Sequence, residues 1–270
     1  MTTTATAEVA PWVERLARVG YAAKALLYMT VGYLAAQAAL GRGGRVTDTQ
    51  GALRTVNQGG SVGWIVLLVI AAGLLGYALW RLVEAVVDPE RRGTGFKAIA
   101  VRLGFAVRGL FHGALGVTAL RLALHQRAGS SGQVREWTRK AFELPGGEVL
   151  VLLAAAGIAG YGVYQFYRAV TPKMKRDLQL GELPNPPRNW VVGISRFGIA
   201  ARGVVFCLVG FFLVRAGLGH DVREAGGLRE ALRAVAGAGR WPFLVVAFGL
   251  IAYGVYELLN ARYRSIRVTA

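Results

Sequence analysis

The chain has very little of what most soluble enzymes depend on. It has one cysteine, Cys207, and three histidines in 270 residues. A single cysteine rules out an internal disulfide and any multi-cysteine metal site. No H-E-x-x-H, C-x-x-C, G-x-S-x-G or phosphate-loop pattern occurs, and Gly41-Arg-Gly-Gly44 lacks the Lys-Ser/Thr ending that a phosphate loop needs. Ser195 has no His or Asp partner legible beside it. Charge is scarce too, at 17% of residues, where a soluble domain carries about 25%. Acidic residues are the scarcer kind, 15 against 32 basic. No strand-like alternation breaks up the long apolar runs, so an all-β fold is excluded.

What the chain has in quantity is apolar sequence. Six runs, 19–40, 64–87, 103–124, 149–170, 197–218 and 242–261, reach the length of about 20 residues that a bilayer-crossing helix requires. Helices satisfy their own backbone in lipid, and the glycines scattered through all six allow close packing there. The net charge of +17 is spread between these runs and forms no stripe or tail. It fits a protein facing anionic lipid better than one binding nucleic acid. The N-terminus is small and acidic, a poor signal-peptide start.

The same phrase is written three times. Arg18-Val-Gly-Tyr-Ala-Ala-Lys24 returns as Arg102-Leu-Gly-Phe-Ala-Val-Arg108 and as Arg196-Phe-Gly-Ile-Ala-Ala-Arg202. An aromatic stands six residues before each opening arginine: Trp12, Phe96 and Trp190. With Leu16, Ala100 and Ile194 it forms a short amphipathic lead-in for the interface. The following runs also match: Gly73-Leu-Leu-Gly-Tyr77, Gly157-Ile-Ala-Gly-Tyr161 and Gly249-Leu-Ile-Ala-Tyr253. The expected domains are therefore three two-helix repeats, 12–87, 96–170 and 190–262. Flexible termini at 1–11 and 263–270 and a cytoplasmic linker at 171–189 complete the chain. Within each repeat a polar stretch reads as a short surface helix: 49–58, 133–144 and 227–236.

An even number of spans per repeat orients all three alike, so these are parallel repeats, and a pseudo-threefold packing about the membrane normal is the expected arrangement. Counting Lys and Arg places 19 on the side of the termini and 13 on the other, which puts both termini in the cytoplasm. At i, i+4, i+8 the first helices carry Lys24-Tyr28-Gly32, Arg108-His112-Gly116 and Arg202-Phe206-Gly210. The second helices carry Gly73-Tyr77-Arg81, Gly157-Tyr161-Gln165 and Gly249-Tyr253-Glu257. Such spacing makes one stripe per helix, and the two stripes of a hairpin are expected to face each other. Lys24, Arg108, Arg202, Arg81, Gln165 and Glu257 then form a candidate lipid or anion layer. Tyr28, His112, Phe206, Tyr77, Tyr161 and Tyr253 form a candidate cavity wall. Gly32, Gly116, Gly210, Gly73, Gly157 and Gly249 are the helix-packing glycines. In the scaffold reading of this pattern, the basic side chains snorkel outward.

Other residues carry weaker signals. His112 is the only histidine inside a run, and Tyr28 and Phe206 at equivalent places point to packing rather than ligation. His125 and His220 lie at helix ends, and Asp221 beside His220 is not a metal site. Glu257 is expected to pair with Lys24, Arg202 or Arg81, and Glu84 sits one turn nearer its helix end. No acid falls near mid-span, which argues against an ion-coupled pump. Arg121 and Arg215 read as anchors at the outer boundary.

The recurring R-x-G-x-A-x-[KR]-[AG], followed by G-x-x-[GA]-Y-[AG]-x-[WY], resembles the bacterial membrane family called domain of unknown function 1206, from Trp12 to about Arg262. The resemblance implies a six-span protein and supplies no catalytic residues. The first copy departs slightly, with Lys24-Ala25 where the others have Arg-Gly. We expect a non-enzymatic, multi-pass protein of the bacterial cytoplasmic membrane that serves as a scaffold or anionic-lipid-interacting module. The alternative is a passive channel or transporter for a small anion along the repeat axis. Expected partners are membrane lipids, the anionic ones favoured, with no nucleic acid, no cofactor and no metal.

Overall fold

The computed structural model describes residues 11–88, 93–126, 132–171 and 187–263. The expected flexible termini and linker lie almost wholly outside the described residues. Among those described there are nine α-helices, one 3-10 turn and no strand. Six are long: α1 (Pro11–Ala39), α3 (Gly60–Val87), α4 (Phe96–Ala123), α6 (Gly147–Val170), α7 (Pro187–Gly219) and α9 (Arg240–Tyr263). Each lead-in is continuous with its long helix. Between the two long helices of each repeat lie the short α2 (Thr49–Asn57), α5 (Gln133–Phe142) and α8 (Leu228–Gly237). Side chains mark the starts of α2 and α8: Asp48 accepts from the Gly51 N–H at 2.8 Å, and Glu230 reaches back to the Gly227 N–H at 3.0 Å.

Helices α3, α4, α6, α7 and α9 are long and apolar enough to cross a membrane, which makes this a helical multi-pass membrane protein. Helix α1 has the length, 29 residues, but Lys24 and three tyrosines dilute its apolar stretch.

The closest packing is not within the repeats but between them. Helix α3 packs on α4, α6 on α7, and α9 returns to α1. These contacts explain the recurring motif. The opening arginine binds the free carbonyls that end the second helix of the neighbouring repeat. Arg18 donates to the Ala261 and Arg262 carbonyls at 2.7 and 2.8 Å, Arg102 to those of Ala85 and Val86 at 2.8 and 2.9 Å, and Arg196 to that of Val170 at 3.3 Å. A cation there satisfies orphan acceptors and complements the helix dipole.

Gly32, Gly116 and Gly210 lie on the same boundaries and not, as the stripe pattern implied, on the hairpin seams. A Cβ at Gly32 would meet the Ala247 carbonyl at 2.7 Å, one at Gly116 the Leu75 Cγ at 2.9 Å, and one at Gly210 the Ala159 Cβ at 2.7 Å. Of the other three glycines, Gly73 and Gly249 serve the first and third hairpin seams, while Gly157, expected to pack in the second, has nothing within 4 Å of a Cβ. A Cβ at Gly73 would lie 2.8 Å from Val19 Cγ1, and one at Gly249 would collide with Ala201.

The short helices join into a cap over one end of the bundle. Gln50 of α2 donates to Gln133 of α5 at 2.6 Å. Arg135 of α5 donates to the Ala225 carbonyl just before α8 at 3.0 Å. Arg229 of α8 reaches Asp48 at the start of α2 at 3.5 Å. Ala52, Leu53, Ala231 and Leu232 are fully buried beneath this ring, in the main core. Helix α5 contributes less to the core: Trp137 is 69% exposed, and only Thr138 is buried.

Candidate functional site

Lys24, Arg108 and Arg202 each sit five residues into the apolar run, past the interfacial lead-ins that open α1, α4 and α7. Lys24, Arg202, Arg81, Gln165 and Glu257 are all buried, and Arg108 is half-buried. The buried cations therefore do not snorkel. They turn inward, because tyrosine hydroxyls and carboxylates inside the bundle take the place of water.

The partners are found across repeat boundaries, which corrects the expectation that the two stripes of a hairpin face each other. Lys24 Nζ pairs with Glu257 Oε1 at 2.8 Å, and the Tyr253 hydroxyl donates to the same oxygen. In this register Arg108 falls opposite Arg81 and Arg202 opposite Gln165. Facing a like charge, Arg81 takes partners nearer home: Glu84 at 2.6 Å, the Tyr77 hydroxyl at 3.0 Å and the Tyr21 hydroxyl at 3.3 Å. Arg202 donates to the Tyr28 hydroxyl at 3.2 Å and the Tyr161 hydroxyl at 3.1 Å. Its guanidinium lies 4.7 Å from the Phe206 and Tyr253 ring centroids. Four aromatics from four helices thus enclose one cation, an arrangement worth roughly 2 kcal/mol or more per desolvated cation–π contact.

The six rings expected to line a cavity instead pair edge to face, one pair at each repeat boundary. The centroid distances are 5.0 Å for Tyr77–His112, 5.1 Å for Tyr161–Phe206 and 4.7 Å for Tyr28–Tyr253. Each such pair contributes about 0.5–1.5 kcal/mol beyond its buried area. His112 fills the ring slot, its Nδ1 2.8 Å from the Arg108 carbonyl. Among the described residues no group of three His, Cys, Asp or Glu could hold a metal ion. At the cap end Arg215 pairs with Glu224 at 3.0 Å, and His125 and His220 end their helices with positive φ.

The layer does not balance. Lys24, Arg81, Arg108 and Arg202 face only two carboxylates, Glu84 and Glu257, an excess of two positive charges. Among the described residues no carboxylate lies within ion-pair distance of Arg108, whose guanidinium is 5.2 Å from the Tyr161 ring centroid. Gln165, fully buried, has neither amide atom hydrogen-bonded. The Ser195 hydroxyl and the second oxygen of Glu257 are also buried without partners. Sequence reasoning named the layer but missed Tyr21 and the capping role of the opening arginines. One signal was available: Lys24 and Glu257 are the only oppositely charged pair the boundary register brings together.

Comparison with known proteins agrees with the repeat. The family model "Domain of Unknown Function (DUF1206)" matches three times, at 19–88, 103–172 and 197–264. An uncharacterized protein of Bacillus subtilis (strain 168), YxxB, is 27% identical over 259 residues, covering 95% of this chain and 93% of that protein. No solved structure matches. With most of its length matched in three tandem copies, the chain belongs to the DUF1206 family.

Proposed function

We propose that the protein is a non-enzymatic, anionic-lipid-interacting module of the bacterial cytoplasmic membrane. In this reading α1 is the sixth span, the three repeats stand around a pseudo-threefold axis, and both termini lie in the cytoplasm. The observation that carries it is the charge imbalance of the buried layer. Two surplus cations in a low-dielectric bundle are costly unless an anion neutralises them. Membrane lipid is the most abundant source of such an anion at that depth. The repeat boundaries that close from α9 back onto α1 support the threefold arrangement. The cap in which α2, α5 and α8 are joined by hydrogen bonds and an ion pair over one end of the bundle supports a module over a conducting path.

Native mass spectrometry of the protein released from mixed-lipid membranes tests the reading. Phosphatidylglycerol or cardiolipin is expected to stay bound where phosphatidylcholine is stripped. Equal retention of charged and zwitterionic lipid would count against it.

A further inference from the structure

In the first and third repeats the two long helices pack together. In the second, α4 and α6 make no comparable contact. Equivalent residues show the difference. Phe111 is 52% exposed where Leu27 and Val205 are 2% and 3%. Val107 is 58% exposed where Ala23 and Ala201 are 4% and 6%. On the other wall Ala154 and Gly157 are exposed where Ile70, Gly73, Val246 and Gly249 are buried. A Cβ at Gly104 or Gly157 would meet nothing within 4 Å. The second repeat therefore has a lateral groove where its relatives have a seam.

The groove is ordered along its length. Arg108 on α4 and Tyr161 on α6 meet across it. Toward the cap end the walls become apolar, with Phe111 on one side and Gly157 and Ala154 on the other. Gln165, the next residue of the Gly157–Tyr161 stripe, lies outside the groove: it is fully buried, and a Cβ at Gly203 of α7 would meet its Cβ at 3.3 Å. Arg108 sits five residues into the apolar run, about 7.5 Å along the helix, so a group at the bilayer boundary is within reach. A polar, cationic end near the boundary and a smooth apolar stretch toward the midplane match the shape and charge of a phospholipid. A second copy of this chain is a poorer occupant, since a twofold contact over the groove brings Arg108 near its own copy.

We propose that this groove holds one anionic phospholipid, with its phosphate at Arg108 and an acyl chain along Phe111, Gly157 and Ala154. The proposal rests on the lipid-module reading and assigns it a place and a number. Titrating the full chain with phosphatidylglycerol and counting bound lipids by native mass spectrometry tests it. We expect one tightly held lipid per chain in the wild type. Its affinity should fall at least tenfold in Gly157→Trp, which starts an indole where a Cβ meets nothing within 4 Å, and in Arg108→Gln. Val163→Trp, exposed on α6 about 120° around the helix from Gly157, should change it less than twofold. Retention of anionic lipid that ignores Gly157→Trp would overturn the groove while leaving the module reading intact. No retained anionic lipid in the wild type would overturn both. A dimer that Gly157→Trp dissociates, or displacement by free glycerol phosphate as effective as by whole lipid, would overturn the lipid assignment.

Discussion

The seam of the first repeat and the seam of the second use equivalent positions with opposite results. At Gly20 and Gly73 the backbones approach until a Cβ would clash; at Gly104 and Gly157 there is open space. The difference lies in the residues beside the glycines. Val107 and Phe111 are bulkier than Ala23 and Leu27, or than Ala201 and Val205, and they stay more than half exposed. Leaving them exposed costs little in lipid, where no hydrophobic force drives helices together. The comparison teaches that the boundaries between repeats hold this bundle and that an individual hairpin can open without breaking them.

The largest effect is expected at a boundary. Glu257→Ala strands Lys24 in the core and should destabilise the protein by about 3–5 kcal/mol, read as a collapse of the folded fraction in detergent on mild heating. An unchanged melting temperature would mean the pair does not hold α1 to α9. Next come the seams. Gly73→Leu should cost roughly 3 kcal/mol through overpacking, whereas Gly157→Leu should stay within about 0.5 kcal/mol of the wild type, as surface changes do. Equal losses in denaturant unfolding would erase the distinction between the seams.

A smaller loss, about 1 kcal/mol and comparable to that of a helix cap, is expected for Arg102→Ala, which frees the Ala85 and Val86 carbonyls. Faster amide exchange confined to the last turn of α3 would be its signature, and exchange spread over α4 instead would contradict the capping role. The smallest effect concerns the cap. Arg139, bonded to Glu136 at 2.9 Å, holds that exposed carboxyl below its ordinary range. A depressed carboxyl stabilises the fold above its ordinary pKa, and that contribution fades as pH falls through the depressed value. Exchange in α5 should quicken slightly below about pH 4.5, and Arg139→Gln should remove this dependence.

Much of the architecture was legible because membrane helices announce themselves by length and apolarity, and because the repeat supplied three readings of each position. The helices 49–58, 133–144 and 227–236 were found within two residues by their amphipathic pattern. The residues of the buried layer were legible too, since a cation in an apolar run has few options. Their pairing was not. A stripe gives the face of a helix but does not say which neighbour meets it, and the hairpin was the nearer guess for Gly32, Gly116 and Gly210. The open seam was hidden for another reason. Val107 and Phe111 are apolar like their counterparts in the other repeats, so hydropathy alone does not mark them as an exposed wall and not a buried seam.

The contrast between seams can be measured at three equivalent sites. Spin labels placed one at a time at Leu27, Phe111 and Val205, in a Cys207→Ser background reconstituted in bilayers, report contact with dissolved oxygen in the lipid. The label at Phe111 should be several times more accessible than the other two. Equal accessibility at all three would mean that the second repeat closes like its relatives and that the bundle has no lateral groove.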